Sequence, residues 1–350
     1  MTNTELINRL NAEKNLTRAQ WVQLIGSFTP DDRAHAADIA RETSVSIFGK
    51  NIFFRGIVEF TNYCKNNCLY CGIRRDNREV SRYRLDRDDI LSCCRSGYAA
   101  GFRTFVLQGG EDPYYTDDIM TGIVSAIRRE FPDCAITLSI GEKPRESYQR
   151  FFDAGANRYL LRHETADREH YAKMHPADQP FENRMRCLRD LKDIGYQTGC
   201  GMMVGCPFQT VENLAEDMLF MADFKPEMIG TGPFIPHHQT PFKDFPAGSV
   251  EMTLMLLSLC RIMLPTVLLP ATTALGTASG DGRQQGVLAG ANVIMPNLSP
   301  VADRKKYMLY DNKAITGDDA AESLNVLQNH LDQIGYSLVI SRGDYKEETK

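Results

Sequence analysis

Three cysteines fall within eight consecutive positions, at Cys64, Cys68 and Cys71. One loop can wrap three thiolates at this spacing around a single iron–sulfur cluster, and because a cubane cluster needs four ligands, one iron stays open to a small molecule. Zinc is the alternative metal, but structural zinc sites usually join two separated ligand pairs. The sequence has no second Cys-x-x-Cys motif. The spacing therefore favours a [4Fe-4S] cluster that can chelate a cofactor.

The remaining cysteines are interpreted as packing residues, because a free cysteine on a helix or strand behaves as a small buried hydrophobe. A disulfide framework is typical of small secreted proteins, whereas this chain has 350 residues. A metal in a reducing compartment fits better. The packing cysteines are Cys93, Cys94, Cys134, Cys187, Cys200, Cys206 and Cys260.

A second segment of interest, Gln108-Gly109-Gly110-Glu111, follows another predicted strand. Two adjacent glycines have no side chain, so their backbone can approach a ligand closely. A simple turn would explain the glycines equally well. The segment becomes informative only if the fold brings it beside the cysteine loop.

Charged residues occupy one face of a third predicted strand, since side chains alternate along a strand and Arg158, Arg162 and Glu164 are separated by even numbers of positions. Unpaired charges in an enclosed space are costly. These residues either bind a ligand or form an internal salt-bridge ladder with Arg55 and Glu59. If they bind a ligand, Arg162 should lie about 6.6 Å deeper than Glu164, at roughly 3.3 Å per residue.

The elements that position these residues begin near Asn51, where short β-rich runs alternate with amphipathic helical stretches. Eight predicted strands indicate an α/β protein with a complete (β/α)8 TIM-type barrel over 51–300, within a single domain of 1–350. We expect an N-terminal helical cap over 1–50 and a C-terminal helical appendage over 301–350. Such barrels carry their active sites on the loops after the strands. Strands are predicted near 52–60, 104–108, 135–140, 158–163, 197–204, 228–234, 266–270 and 291–295, and helices at 87–100, 115–131, 181–194 and 211–224.

Composition excludes several classes of partner. A formal net charge of -5 leaves no basic surplus for nucleic acid. The N-terminus lacks the apolar core of a signal peptide, so we expect a cytoplasmic protein. The longest apolar stretch, 252–276, contains Arg261, Pro265 and Pro270 and is too interrupted to span a membrane.

The cysteine loop, with Tyr70 directly before its third cysteine, resembles the signature of the radical S-adenosylmethionine (SAM) superfamily. The resemblance implies that the open iron binds the amino and carboxylate groups of SAM, and that the cluster reductively cleaves SAM to a 5′-deoxyadenosyl radical. A carboxylate at Glu164 would accept the ribose hydroxyls, and Arg184 would pair with the SAM carboxylate. The cofactor-binding residues implied are Tyr70, Gly109, Gly110, Glu111, Glu164, Arg184, Pro233 and Ile235.

Motifs between Thr17 and Tyr310 closely resemble the HydE family of [FeFe]-hydrogenase maturases, notably Arg-His-Glu-Thr at 162–165 and Pro-Ala-Thr-Thr-Ala at 270–274. The resemblance implies an enzyme that helps to build the di-iron subcluster of the hydrogenase. Its substrate would be a small carboxylate-bearing or organometallic iron–cysteine compound, and its partners other hydrogenase maturation proteins and an electron donor. The substrate contacts implied are Arg162, with Arg158 as an alternative anion clamp, and Gln108, Thr272 and Thr273.

One departure and two alternatives accompany this resemblance. Many HydE proteins carry a second cluster on three cysteines near the C-terminus, whereas this sequence has no cysteine after Cys260. A radical SAM mutase or synthase acting on an amino acid or thiol acid, similar to methylornithine synthase or biotin synthase, is the first alternative. A scaffold that uses its cluster only for assembly is the second, and it would not cleave SAM on reduction.

Overall fold

The computed structural model describes residues 1–314 and 320–346. Short strands alternate with helices, as the sequence predicts. The strands are β1 (Asn51–Phe54), β2 (Gly56–Thr61), β3 (Thr104–Gly109), β4 (Ala135–Ser139), β5 (Arg158–Leu160), β6 (Gln197–Cys200), β7 (Met203–Val204), β8 (Met228–Ile229), β9 (Gly232–Pro233), β10 (Val293–Ile294) and β11 (Ser337–Val339).

The helices surround these strands, and the first three cover the N-terminal fifty residues. They are α1 (Asn3–Glu13), α2 (Arg18–Ser27), α3 (Pro30–Phe48), α4 (Arg87–Ala99), α5 (Asp117–Glu130), α6 (Arg145–Asp153), α7 (Arg168–Met174), α8 (Phe181–Ile194), α9 (Val211–Phe224), α10 (Val250–Met263), α11 (Thr273–Ala278), α12 (Gly282–Leu288), α13 (Val301–Arg304) and α14 (Ala320–Asp332). Helix α2 packs against α9, and α3 packs against α10. Among the described residues, no helix is long and apolar enough to cross a membrane.

Local sequence explains where the helices begin and end. Thr29 accepts a hydrogen bond from the backbone of Asp32, whose carboxylate accepts one in return from the Thr29 backbone, and this capping box starts α3. At the other end of a helix, Gly195 adopts a φ of 104°, a left-handed conformation that glycine tolerates, and stops α8.

Six strands form a parallel sheet in the order β2-β3-β4-β5-β6-β8, which confirms the α/β class. Strand β1 pairs in parallel with β10 on one side and β11 on the other. The predicted seventh strand, 266–270, is not a regular strand in the described structure: Leu268 and Pro270 make only isolated parallel bridges. Proline lacks the N–H group that a ladder requires, which explains the interruption.

Three other predicted strands are divided. The predicted strand 52–60 is interrupted at Arg55, between β1 and β2, and the predicted strand 228–234 is divided into β8 and β9. The predicted strand 197–204 is divided at Gly201, where an added Cβ would lie 2.1 Å from the carbonyl oxygen of Gly230. Close approach of two backbones, which sequence periodicity does not report, bends the strands here.

The C-terminal segment is not purely helical, because β11 follows α14 and joins β1. The chain then places Asp344 against the fully buried Arg158, with 2.7 Å between Asp344 Oδ1 and Arg158 Nη2. Arg158 also donates to the carbonyl oxygen of Arg342, and Arg55 donates to that of Gly343. The salt-bridge interpretation of Arg158 therefore holds, with Asp344 as its partner in place of Glu59.

Candidate functional site

A cavity of about 290 Å³ opens where the strands of the six-stranded sheet end. Loops that follow β2, β3, β5 and β9 meet there, which brings the cysteine loop beside the glycine segment. The lining includes every residue that the sequence assigns to the metal or the cofactor: Cys64, Cys68, Cys71, Tyr70, Gly109, Gly110, Glu111, Glu164, Arg184, Pro233 and Ile235.

The three cysteines have free, half-buried thiols that face this one cavity. Burial raises the pKa of all three, that of Cys71 to about 12. Thiols in this state are protonated, and a bound metal would have to displace the protons to gain thiolate ligands. Three converging thiols suit an iron–sulfur cluster with one iron open toward the cavity.

Backbone hydrogen bonds fix the cysteine loop at three points. The Lys65 N–H donates to the Glu111 carbonyl over 2.9 Å, the Leu69 N–H donates to Met174 over 2.9 Å, and the Gly72 N–H donates to Leu309 over 2.8 Å. The loop is thus held by the segment after β3, by α7 and by the C-terminal segment. Its position does not depend on the metal alone.

Gly109 and Gly110 are required by packing. A Cβ on Gly110 would lie 2.2 Å from the carbonyl oxygen of Tyr63, and one on Gly109 would lie 2.8 Å from the Thr61 side chain. Real Cβ atoms do not approach so closely. The pair therefore lets the cysteine loop lie directly on the end of β3.

Arg162 and Glu164 form the main charged group of the cavity. Arg162 Nη2 and Glu164 Oε2 are 2.9 Å apart, but their alignment is too poor for a hydrogen bond, and neither atom has such a partner among the described residues. Strand β5 ends at Leu160, and Glu164 has a φ of 66°. The two charges consequently lie side by side, rather than at the separate depths that strand alternation predicts. Buried polar atoms that lack hydrogen-bond partners and also line a cavity are consistent with a ligand site.

Arg184 is buried and already has one carboxylate partner. Its Nε donates to Glu142 Oε1 over 2.6 Å, and its Nη1 donates to the carbonyl oxygen of Arg162. Despite burial, the neighbouring tyrosine and glutamate groups hold the pKa of Arg184 well above its usual value, so it stays a cation. A guanidinium has five N–H groups, and the bonds to Glu142 and to the Arg162 carbonyl leave capacity for a further anion.

Tyr70 is oriented by a neutral histidine. Burial, with the nearby charge of Arg184, lowers the pKa of His175 to about 3. His175 Nδ1 lies 3.1 Å from the Tyr171 carbonyl, to which it can donate, so Nε2 is the acceptor for the Tyr70 hydroxyl at 3.1 Å. The ring of Tyr70 is thereby fixed against the cavity.

Only some of the predicted substrate residues line the cavity. Gln108 and Arg162 line the cavity, whereas Thr272 and Thr273 are not part of its lining, which reaches the adjacent Ala274. Thr272 caps α11 by accepting the Leu275 N–H over 3.3 Å, and Thr273 is the first residue of that helix. Arg158 does not line the cavity, because it lies against Asp344.

Sequence reasoning missed the C-terminal residues that cover the cavity. Tyr307 and Tyr310 line it, and Lys313 forms a buried ion pair with Glu59, whose other oxygen accepts from Asn297 over 2.7 Å. These residues belong to the segment predicted as an appendage. Contacts between positions about 250 apart leave no periodic signal in a sequence, so no pattern could have identified them.

A second cluster of possible metal ligands lies nearby, at His237, His238 and Asp311. The two imidazole rings are stacked with an interplanar angle of 15°, so their in-plane lone pairs do not converge on one point. Asp311 instead accepts hydrogen bonds from the backbone and ring of His238. The cluster thus fastens the loop after β9 to the C-terminal segment.

Comparisons with known proteins agree with this site. A family model described as the radical SAM superfamily matches residues 58–221, which include the cysteine loop. The chain is 43% identical over 313 residues to the [FeFe] hydrogenase maturase subunit HydE of Thermotoga maritima, covering 89% of each chain. It is 31% identical to 3-methylornithine synthase of Methanosarcina acetivorans, covering 73% of this chain and 72% of the relative. The crystal structure of methylornithine synthase matches with a TM-score of 0.83 at 26% identity, covering 95% of this chain and 97% of that one.

Proposed function

The chain belongs to the radical SAM superfamily and, within it, to the HydE family, and from this premise we propose that it is a maturase that helps to build the di-iron subcluster of [FeFe]-hydrogenases. The superfamily uses a [4Fe-4S] cluster together with SAM. The observation that carries the proposal is the convergence of three free thiols, a buried arginine and an incompletely bonded Arg162–Glu164 pair on one cavity.

The residues of the cavity fit both cofactors. Cys64, Cys68 and Cys71 would hold the cluster, and when bound, the cluster and SAM together supply radical chemistry through reductive cleavage of SAM. Three thiol ligands and no fourth cysteine in the described lining match a cluster with an open iron.

The remaining lining residues would orient SAM. Arg184 supplies a buried cation for its carboxylate, and Glu164 supplies a carboxylate for its ribose hydroxyls. The backbone edge at 109–111 would receive the amino group, with Pro233 and Ile235 flanking the adenine and Tyr70 packing beside the cluster. Hydrogen bonds fix Arg184 and Tyr70 before SAM arrives, so these two side chains lose little entropy on binding.

We assign the substrate to the part of the cavity lined by Arg162 and Gln108. Arg162 would bind the carboxylate of a small acid or of an organometallic iron–cysteine compound, and Gln108 would donate a hydrogen bond. Thr272 and Thr273 remain proposed hydroxyl donors, which requires α11 to present its first turn to the bound substrate. Tyr310 extends this wall, and burial raises its pKa to about 12, so its hydroxyl keeps its proton for hydrogen bonding.

The complete barrel is part of this proposal. Bridges pair Met228 with Leu268 and Pro270 with Val293, and β10 pairs with β1, which supports a closed ring of eight strand positions. Residues 1–50 would cap it and 301–350 would form an appendage of the same single domain. We further propose a cytoplasmic protein that works with other hydrogenase maturation proteins and an electron donor.

The test is an in vitro maturation assay. The reconstituted protein replaces HydE in a mixture of the other maturation proteins and an inactive hydrogenase. We expect hydrogen evolution well above that of the mixture without HydE, and none with Cys68→Ala. If hydrogenase stays inactive while L-lysine is converted to methylornithine, the synthase alternative, favoured by the match to methylornithine synthase, replaces this function.

A further inference from the structure

A fully buried acid lies behind the turn that carries Glu164. Asp217, on α9, accepts the backbone N–H of Ala166 with Oδ1, and the same oxygen lies 3.3 Å from Nε2 of His163. Asp217 and His163 are both inaccessible to solvent. A buried carboxyl group is costly, and neither it nor His163 lines the cavity, so its presence needs a reason outside direct ligand contact.

His163 connects this acid to the opposite side of the turn. Its Nδ1 accepts the N–H of Gly201 over 3.2 Å, so a neutral ring carries its proton on Nε2, which faces Asp217. The N–H on His163 Nε2 is not aligned well enough with Asp217 to form a hydrogen bond. Asp217 Oδ2 has no hydrogen-bond partner among the described residues. The firm bond of Asp217 is therefore the one to Ala166, with His163 as a close neighbour.

Glu164 sits between these anchors in an unusual conformation. Its φ of 66° is left-handed, a region that non-glycine residues occupy at a cost and only when their surroundings enforce it. The Glu164 N–H donates to the Gly201 carbonyl over 3.0 Å on one side of the turn. Two residues later, the Ala166 N–H is held by Asp217. The direction of the Glu164 side chain thus depends on both attachments.

We propose that Asp217 is a positioning residue for SAM binding: by holding the Ala166 N–H and packing beside His163, it keeps the turn in the conformation that directs Glu164 into the cavity. The inference rests on the proposed function, since it assumes that Glu164 contacts SAM. It adds a residue outside the cavity, on α9, to the requirements of the cofactor site.

The experiment measures SAM affinity by calorimetry on the full chain after cluster reconstitution, with iron content and melting temperature as controls. Asp217→Leu removes the acceptor and should weaken SAM binding about tenfold, equivalent to about 1.4 kcal/mol. Asp217→Asn keeps an acceptor oxygen and should stay within about threefold of the wild type, or about 0.65 kcal/mol. Met221→Ala, a buried residue farther along α9, should lower the melting temperature without changing SAM affinity.

A double-mutant cycle with Glu164→Gln separates the possible outcomes. If Asp217 acts through Glu164, adding Asp217→Leu to Glu164→Gln should weaken binding no further than about twofold. Full additivity, or an unchanged affinity in Asp217→Leu, overturns the inference and leaves Asp217 a structural residue. If Glu164→Gln binds SAM normally, the assignment of the cofactor site is itself wrong.

A second variant tests the same inference if Asp217→Leu does not fold. His163→Phe keeps the ring that packs against Phe220 but removes both nitrogen atoms. With iron content preserved, it should weaken SAM binding by about threefold or more, equivalent to at least about 0.65 kcal/mol. Normal affinity in a folded His163→Phe protein contradicts the role assigned to the His163 link.

Discussion

Replacing Gly110 with alanine tests how the cysteine loop is held. The added Cβ would lie 2.2 Å from the carbonyl oxygen of Tyr63 and 2.8 Å from the Cβ of Cys64. Favourable contacts between non-bonded heavy atoms begin near about 3.5 Å, so the loop must move by about 1 Å. Metal sites tolerate deviations of only about 0.2 Å in ligand distance. The substitution should therefore displace Cys64 as a ligand.

The assay is anaerobic reconstitution followed by analysis of iron, sulfide and SAM affinity. We expect iron per chain to fall by about half or more, because a three-ligand site loses one ligand, and the strain itself to cost about 1–3 kcal/mol of stability.

Gly122→Ala is the matched control, since a Cβ at Gly122 in α5 meets nothing within 4 Å. Alanine is better than glycine in a helix by about 0.8–1 kcal/mol, so this control should be slightly more stable and bind normal iron. Wild-type iron content and SAM affinity in Gly110→Ala would refute the packing argument.

Two further predictions concern the arginines. Arg162→Met should weaken binding of a thiazolidine carboxylate roughly tenfold or more, because a hydrogen bond from a charged group contributes about 1.5–3 kcal/mol. SAM affinity should fall less than carboxylate affinity, although Arg162 lies 2.9 Å from Glu164; loss of SAM affinity alone would move Arg162 to the cofactor site. Asp344→Asn should lower the free energy of unfolding at pH 7 by about 1 kcal/mol. Burial raises the pKa of Asp344, but the charge of Arg158 outweighs it and leaves the pKa lowered. The ion pair therefore stabilises the protein above about pH 4, and its contribution is lost as the pH falls through the lowered pKa. Urea denaturation from pH 7 to 2.5 should show the two proteins converging, and a constant difference would contradict the pairing.

Local signals predicted much of this structure. The helices predicted at 181–194 and 211–224 are α8 and α9 with the same bounds, because amphipathic spacing and a terminal glycine or a threonine cap act within a few residues. The cysteine loop was predictable for the same reason, since all three ligands lie in one short segment.

Features that depend on distant contacts were not predictable. The strand break at Gly201 depends on the backbone of Gly230, and the burial of Arg158 depends on Asp344, which lies 186 residues later. Lys313 reaches Glu59 across 254 residues. Alternation along a strand also failed beyond Leu160, because it assumes extended backbone and Glu164 is left-handed. The contacts of Gly201, Arg158 and Lys313 each join parts of the chain that no local pattern connects.

Reductive cleavage of SAM tests the assignment to the radical SAM enzymes without any partner protein. The protein is reconstituted anaerobically to about four irons and four sulfides per chain, reduced with dithionite and supplied with SAM, and methionine and 5′-deoxyadenosine are measured. The wild type and Cys93→Ala, which alters a buried cysteine on α4, should release both products, whereas Cys68→Ala should release neither. No cleavage by a fully reconstituted wild type, or equal loss in both variants, would contradict the account.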